Sequence, residues 1–290
     1  MAVLPPPCVR VDAACPAVSR RLFTASCAVV VSSPAKAADA ESSSFYARWP
    51  YVEPADLLPF VRASATRGDS ASVLAALDEF ATHYPNYSVG KEKAVLLTAV
   101  LRDVQPHRAL EVGTFIGYSA IVTALELRRR PGARLTCVEA SAANAAVARE
   151  LLDFAAVGDI VEIKLGLSSA LLPSVARALG GPADYVFLDH AKDCYLPDLK
   201  ALESLGVVAK GTVVVADNVI YPSAPGAYMP WRARTFQPLT CRISKGYLEH
   251  VATESGRYTT RLLDAAFEYN RVWEKGWEPT ADALSVSTKL

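Results

Sequence analysis

The chain has no excess of charge of either sign, no long hydrophobic run and no clustered cysteines. Its 290 residues carry 30 Lys and Arg against 30 Asp and Glu, so it lacks the basic excess that gives proteins non-specific affinity for nucleic acid. Its apolar runs are far shorter than the ~20 residues that a membrane-spanning helix needs. The six cysteines form no Cys-x-x-Cys pair, which disfavours a zinc site and a disulfide scaffold. We expect a folded protein with no nucleic-acid partner and no membrane span.

Residues 1–44 differ in composition from the rest of the chain. The first forty contain four basic residues against two acidic ones and are rich in Ala, Ser and Pro. Three interpretations stay open: an organellar presequence around residues 19–23, a signal peptide with its apolar stretch at 22–31, or a disordered tail. We predict a tail over 1–44 and a single domain over 45–290. The expected location is the cytoplasm, or the mitochondrion if the presequence interpretation holds.

From residue 53 onward the hydrophobic pattern becomes regular. Two leading helices and a third helix over 92–104 are predicted from apolar residues at helical spacing. Five short apolar runs then alternate with helical stretches: residues 108–112, 134–138, 160–164, 185–188 and 212–216. Such alternation is typical of an α/β fold with an open, mostly parallel sheet and helices on both faces. Ligands of these sheets bind at the carboxyl ends of the strands, so functional residues should follow each run.

The segment after the first run has the character of a nucleotide-binding loop. Gly113 allows a sharp turn and a close approach of backbone to a ligand, and Gly117 opens the next helix. The spacing lacks the Gly-x-Gly-x-x-Gly pattern of dinucleotide sites, which favours an adenosine ligand without phosphates. Glu139 ends the second run and can accept ribose hydroxyl protons, although a helix-capping carboxylate is the simpler interpretation of this residue alone. Ser168 and Ser169 follow the third run and are candidates for adenine contacts or for helix caps.

Oxygen donors follow the fourth and fifth runs. Asp189 comes directly after one run, and Asp217 and Asn218 come directly after the other. Carboxylate and amide oxygens are the ligands that Mg²⁺ prefers, and the ion keeps coordination positions open for substrate oxygens. Lys192 lies three residues past Asp189. An ammonium group is repelled by a nearby metal ion, and this repulsion favours the neutral amine, which can accept a proton. Lys192 is therefore predicted to act as a general base.

Several motifs together resemble the catechol O-methyltransferases, a branch of the S-adenosylmethionine (SAM)-dependent methyltransferases. The resemblance runs from about residue 69 to beyond residue 217 without large gaps. The matching segments are residues 87–90, 110–113, 117–119, 138–139, 187–190, 192–193, 195–198, 216–220, 222 and 224–225. It implies a Rossmann-like methyltransferase fold with a mostly parallel seven-stranded sheet. It also implies Mg²⁺-dependent methyl transfer from SAM to a catechol, a role in catecholamine metabolism, and a monomer acting on a small catechol or phenolic substrate.

The resemblance also assigns roles to individual residues. Lys192 is the expected general base, Glu268 is the expected acceptor of a hydrogen bond from the second catechol hydroxyl, and Glu249 is the alternative to Glu268. The expected metal ligands are Asp189, Asp217 and Asn218, and Lys192, Asn218, Pro222 and Glu268 are expected to contact substrate. The expected cofactor-binding residues are Val89, Glu111, Gly113, Phe115, Gly117, Tyr118, Ser119, Glu139, Ala140, Ser168, Ser169, Asp189 and His190.

The departures from the family pattern concern the substrate slot. Pro85 and Ala191 stand where the family has two tryptophan walls, Tyr87 replaces a gatekeeping methionine, and Ser169 replaces a glutamine near the adenine. Residues 226–257 resemble an insertion whose Tyr228 and Trp231 form either a lid or surface packing. Three rival functions stay open. They are methyl transfer to another vicinal diol or phenol, a non-catalytic SAM-binding relative, and an NAD-dependent oxidoreductase, which the missing glycine pattern disfavours.

Overall fold

The computed structural model describes residues 54–83, 88–220, 245–266 and 281–290. The α-helices are α1 (Leu57–Ser64), α2 (Ser70–His83), α3 (Gly90–Val104), α4 (Tyr118–Leu127), α5 (Ala142–Phe154), α6 (Ser168–Leu179), α7 (Tyr195–Ser204) and α8 (245–251). The strands are β1 (Arg108–Val112), β2 (Arg134–Glu139), β3 (Val161–Leu165), β4 (Tyr185–Leu188), β5 (Val213–Ala216), β6 (Tyr258–Ala266) and β7 (Ala281–Lys289).

The strands form one mostly parallel sheet in the order β3-β2-β1-β4-β5-β7-β6. Strands β1 to β5 pair in parallel, whereas β7 runs antiparallel to both β5 and β6. The chain order reverses between β1 and β4, where an open α/β sheet forms its ligand crevice. The predicted α/β fold with a mostly parallel seven-stranded sheet is confirmed.

Two apolar cores cover the two faces of the sheet. Alternate residues of one strand enter different cores: Tyr185 and Phe187 pack with the helices α1 to α5, whereas Val186 and Leu188 pack with α6, α7 and α8. The continuous apolar runs of the sequence follow from this arrangement, because a parallel strand is buried on both sides. Because helices cover both faces of the sheet, polar side chains are accommodated at the ends of the strands.

The ends of the elements differ slightly from the predicted bounds. Helix α3 begins at Gly90 rather than Glu92 and ends as predicted, with Gln105 in the left-handed conformation ahead of Pro106. Strand β3 begins at Val161, one residue later than predicted, because residues 158–160 form a short 3-10 turn. The last part of the predicted insertion at 226–257 belongs to the core of the domain. Its residues 245–251 are helical, and Tyr247 is completely buried against the sheet.

None of the helices in the described ranges is long and apolar enough to cross a bilayer. The predicted tail, residues 1–44, lies outside the described residues, as do Tyr228 and Trp231 of the predicted insertion.

Candidate active site

The predicted metal ligands meet at the carboxyl ends of β1, β2, β4 and β5, which we call the site edge. Strands β4 and β5 are neighbours, with Leu188 opposite Ala216, so Asp189 and Asp217 leave adjacent strands at the same level. The Asp217 amide donates to the Leu188 carbonyl at 3.0 Å, which continues the ladder one residue beyond the strands. Asn218 follows in the left-handed conformation, with φ of 52°, which asparagine tolerates better than most residues. All three predicted ligands are therefore brought to one edge.

Lys192 is tied to both strand ends. Its Nζ lies 2.9 Å from Asp189 Oδ1 and donates to the Tyr195 hydroxyl at 2.6 Å. That hydroxyl donates in turn to the Asp217 backbone carbonyl at 3.1 Å. The lysine side chain keeps 18% of its surface exposed, so its amine stays within reach of a bound molecule. Tyr195 appeared in the sequence only as part of a motif, and its linking role depends on the contact between the two loops.

The electrostatics of Asp189 favour a bound cation. Burial raises the pKa of Asp189, and the negative charge of Asp217 raises it further, whereas Lys192 opposes both effects. A divalent cation would relieve this destabilisation of the carboxylate. The described residues contain no group of three or more His, Cys, Asp or Glu arranged to hold a metal. The candidate set consists of two carboxylates and the Asn218 amide, and this all-oxygen chemistry fits Mg²⁺.

A buried ion-pair network lies directly behind these ligands. Lys93 Nζ lies 2.6 Å from Asp217 Oδ1 and 2.6 Å from Asp282 Oδ2, and all three side chains are completely buried. Asp282 Oδ2 also accepts a hydrogen bond from Asn218 Nδ2 at 2.8 Å. Sequence reasoning missed Lys93 and Asp282. The available signal was a lysine on the buried face of α3, in line with Leu97 four residues on.

Glu139 lies at the carboxyl end of β2, beside the loop that follows β1. Its Oε2 accepts hydrogen bonds from the backbone amides of Thr114 at 3.2 Å and Phe115 at 2.8 Å, which belong to the loop after β1. Its Oε1 accepts from the amide of Ser141 at 2.8 Å. Ser141, rather than Glu139, caps α5 with its side chain. The capping interpretation of Glu139 is therefore not needed, and the carboxylate is fixed against the glycine loop.

Gly113 allows two strand-end loops to touch. It adopts φ of 93°, and a Cβ at this position would lie 2.3 Å from the backbone oxygen of Asp189. The glycine therefore has a structural task besides any contact with a cofactor, because it lets the loop after β1 lie against the loop after β4. Gly117, as predicted, directly precedes α4 and has φ of 89°.

Glu111 is an acidic side chain without access to water. It is completely buried on β1, and Cys137 Sγ lies 4.0 Å from its Oε1. Burial, followed by the negative charge of Asp189, raises the pKa of Glu111 to about 8. Its Oε2 has no hydrogen-bond partner within the described part of the chain. The raised pKa favours the protonated carboxyl at neutral pH, and a nearby cation would favour the carboxylate instead.

The remaining predicted cofactor residues have different surroundings. Val89 and Ser119 are buried, and Phe115, Ala140 and Ser168 are half-buried. Ser169 is exposed, and neither serine side chain caps α6, whose cap position is occupied by Leu167.

Two aromatic side chains of the predicted cofactor set have fixed partners. Tyr118 is buried in the core, and its hydroxyl donates to Asp78 at 2.8 Å. His190 Nε2 lies 2.9 Å from Asp198 Oδ2, which orients the imidazole beside the site edge.

The substrate-contact predictions lie largely beyond the described residues. Glu268, Pro222, Pro85 and Tyr87 all fall in gaps between the described ranges. Glu249, the alternative to Glu268, is described. It is exposed on α8, where it forms an ion pair with Lys245 at 3.7 Å.

Comparison with known proteins identifies the family. The family model described as O-methyltransferase matches residues 63–227. Catechol O-methyltransferase B of Danio rerio is 39% identical over 207 residues, which are 71% of this chain and 77% of the relative. Catechol O-methyltransferase of Mus musculus is 39% identical over 204 residues, 69% of this chain and 75% of the relative. The chain therefore belongs to the O-methyltransferase family, in its catechol O-methyltransferase branch, as the motifs predicted.

Solved structures share the fold. The O-methyltransferase TomG from Streptomyces achromogenes, solved in complex with SAM, is 25% identical and covers 84% of this chain and 97% of its own, with a TM-score of 0.58. An O-methyltransferase from Bacillus cereus in complex with SAH is 21% identical and covers 76% of this chain and 90% of its own, with a TM-score of 0.59. The Rossmann-like methyltransferase architecture is thus common to all three chains.

We predict that Gly113→Ala destabilises the protein more than Gly132→Ala does. Both glycines have positive φ, but a Cβ at Gly132 meets open space, so that variant should lose only about 1 kcal/mol for the left-handed backbone. The Cβ at 113 must in addition displace the Asp189 loop, which should add about 1–3 kcal/mol. Free energies of unfolding from denaturant titrations provide the comparison. Equal losses in the two variants would contradict the predicted contact.

We predict that Glu111 makes the protein less stable as pH rises. The unfolded chain releases this proton near the ordinary pKa of 4.5, whereas the folded protein holds it up to about pH 8. Stability from this group is complete below the lower value and falls by roughly 1.4 kcal/mol per pH unit until the upper value is passed. Unfolding free energies of the metal-free protein at pH 5.5 to 8.5 should therefore decline less in Glu111→Gln. The exposed Glu254→Gln is the control, and a Glu111→Gln slope equal to that of the wild type would refute the prediction.

Proposed function

We propose that this protein catalyses Mg²⁺-dependent transfer of a methyl group from SAM to a hydroxyl of a catechol. The observation that carries the proposal is the amine of Lys192 at 2.9 Å from Asp189, linked through Tyr195 to the strand end that bears Asp217 and Asn218. An amine beside two carboxylates and an amide at one sheet edge suits proton removal from a chelating diol. The names of the relatives from Danio rerio and Mus musculus support the acceptor.

The cofactor half of the proposal depends on the loop after β1. Glu139 is fixed by the amides of Thr114 and Phe115 and would accept protons from the ribose hydroxyls of SAM. His190, oriented by Asp198, would lie beside the adenine. SAM and SAH are present in the two solved relatives, which supports the same class of ligand here.

The metal half of the proposal assigns Asp189, Asp217 and Asn218 as the protein ligands of Mg²⁺. When bound, the ion would hold both catechol oxygens and make one hydroxyl more acidic. The carboxylates and the amide oxygen are suitable donors, and the destabilised Asp189 carboxylate gains from a nearby cation.

Lys192 then removes the proton of the reacting hydroxyl. SAM, when bound, would supply the methyl group: the phenolate oxygen would form the new bond to the methyl carbon as the sulfur–methyl bond breaks, and the electron pair would stay on the sulfur of SAH. Asp189 and Tyr195 hold the lysine in position for this transfer. Alignment of the two reactants supplies much of the acceleration, because well-oriented reactions gain up to ~7–11 kcal/mol in model systems.

Glu268 remains our candidate for contact with the second catechol hydroxyl. Strand β6 runs in the same direction as β5, because both are antiparallel to β7, so its end at Ala266 lies at the site edge. The Ala266 amide donates to Glu92 Oε1 at 3.0 Å, one residue from Lys93. Glu268 follows only two residues later, whereas Glu249 is exposed and paired with Lys245.

A larger phenolic acceptor is the second candidate substrate. Ala191 directly follows His190 at the site edge, at the position where the resembling family has a tryptophan wall. The small side chain leaves room there for a bulkier ring system. A panel of catechols and phenols of increasing size should therefore show turnover that does not fall with bulk, whereas a narrow slot would reject the larger compounds.

We predict that methyl transfer from labelled SAM to catechol requires Mg²⁺ and stops with EDTA. The physical reason is that the acceptor hydroxyl is acidified only when the ion holds it. Transfer that persists in EDTA would refute the metal half of the proposal. Tight SAM binding with no transfer to any catechol or phenol would refute the acceptor while leaving the cofactor half intact.

We predict that Lys192→Met lowers kcat by roughly 10²–10⁴-fold and leaves SAM affinity unchanged, since the amine acts on the acceptor alone. The measurements are steady-state kinetics and calorimetric titration with SAM. Lys200→Met, which removes an exposed lysine from α7, is the matched control and should keep full turnover. Unchanged turnover in Lys192→Met would remove Lys192 from the mechanism.

A further inference from the structure

Lys93 is a charged side chain in an apolar setting. It lies on the buried face of α3, has no exposed surface, and is followed at helical spacing by the core residues Leu97 and Val100. Burial of an ammonium is expensive unless carboxylates surround it. Lys93 meets this requirement with Asp217 Oδ1 and Asp282 Oδ2, each at 2.6 Å. A methionine of similar length would fill the same space at lower electrostatic cost. Packing alone therefore does not explain why a charged residue occupies this position.

Asp282 determines which end of the Asn218 amide faces the ligand site. A carboxylate only accepts hydrogen bonds, so the group 2.8 Å from Asp282 Oδ2 must be the amide nitrogen of Asn218. The amide oxygen therefore points away from Asp282. Metal ions bind the oxygen of an asparagine, so the rotation that Asp282 selects is the one that metal binding requires.

The same network orients Asp217. Its Oδ1 accepts hydrogen bonds from Lys93 Nζ and, at 2.7 Å, from the backbone amide of Asn218. The carboxylate plane of Asp217 is thereby fixed through one of its two oxygens. The Val219 amide, which bonds to the Ala283 carbonyl at 3.3 Å, holds the loop after β5 against β7 and keeps Asp282 within reach.

We propose that Lys93 and Asp282 form a positioning pair that sets the orientation of Asn218 and Asp217 for metal binding before the metal arrives. This inference depends on the proposed metal site and adds two residues from α3 and β7 that do not themselves touch the metal. Partners of this kind affect metal affinity by roughly 10- to 100-fold in metalloproteins, because they hold the ligands in one geometry.

The decisive variant is the double substitution Lys93→Met with Asp282→Asn. It removes one positive and one negative charge, so simple attraction between the site and a cation predicts unchanged affinity. Positioning predicts weaker binding, because neither methionine nor asparagine enforces one rotation of the Asn218 amide. The double variant leaves the buried Asp217 carboxylate without its ammonium partner, so a second variant that keeps the Lys93–Asp217 ion pair is needed. Asp282→Asn alone is the second variant.

Binding is measured with Mn²⁺ alone, which takes the same oxygen ligands as Mg²⁺ and whose free ion is detected by electron paramagnetic resonance. The control is Ser285→Ala on the same strand. Ser285 is buried, lies 3.2 Å from the Tyr247 hydroxyl, and is directed to the opposite sheet face from Asp282. The Ser285→Ala variant should lose about 1 kcal/mol of unfolding free energy, and its dissociation constant for Mn²⁺ should equal that of the wild type.

We expect Mn²⁺ to bind the double variant at least tenfold more weakly than the wild type, with both proteins folded by near-ultraviolet circular dichroism. Wild-type affinity in the double variant or in Asp282→Asn would overturn the positioning role while leaving the metal site in place. Failure of the wild type to bind Mn²⁺ would instead overturn the proposed metal site, and with it this inference. Mn²⁺ binding by the wild type thus tests the metal site, and the comparison of the wild type with the variants tests the positioning role.

Discussion

A charged ammonium group that is fully removed from water is stable only beside carboxylates, and Lys93 has two of them. Asp217 follows the last parallel strand, and Asp282 is the second residue of the antiparallel strand next to it, so the two ion pairs join α3 to both strands. The junction between the parallel and antiparallel parts of the sheet is therefore held at the level where the candidate ligands emerge. The position of Asn218 between these groups depends on the same contacts.

The site edge concentrates negative charge at a cost to stability. The carboxylates of Asp189, Asp217 and Asp282 all lie near it, and burial raises the pKa of Asp189. The neighbouring Glu111 is completely buried, and its pKa of about 8 favours the uncharged form at neutral pH. Lys93 and Lys192 balance part of this charge, but each is engaged with carboxylates. A site of this kind gains from a further cation, which is why its electrostatics and its proposed function point in the same direction.

Close approach between loops does the rest of the positioning. Gly113 lets the loop after β1 lie against the Asp189 backbone. Glu139 accepts hydrogen bonds from two backbone amides of that same loop. Tyr195 joins Lys192 to the backbone of Asp217. The cofactor half and the metal half of the candidate site are therefore joined by one continuous set of contacts. A substitution at Gly113 is expected to displace the backbone of Asp189.

Alternating apolar runs were enough to predict the sheet, its five parallel strands and the edge at which Asp189, Asp217 and Asn218 would meet, because burial on both faces leaves a distinctive pattern. The family was likewise readable from motifs local to each strand end. Lys93 and Asp282 were not, since they lie 124 and 65 positions in the chain from Asp217 and no local pattern connects them. Only the tertiary structure brings such residues together, because a buried ion pair is a property of packing between distant elements rather than of any one of them.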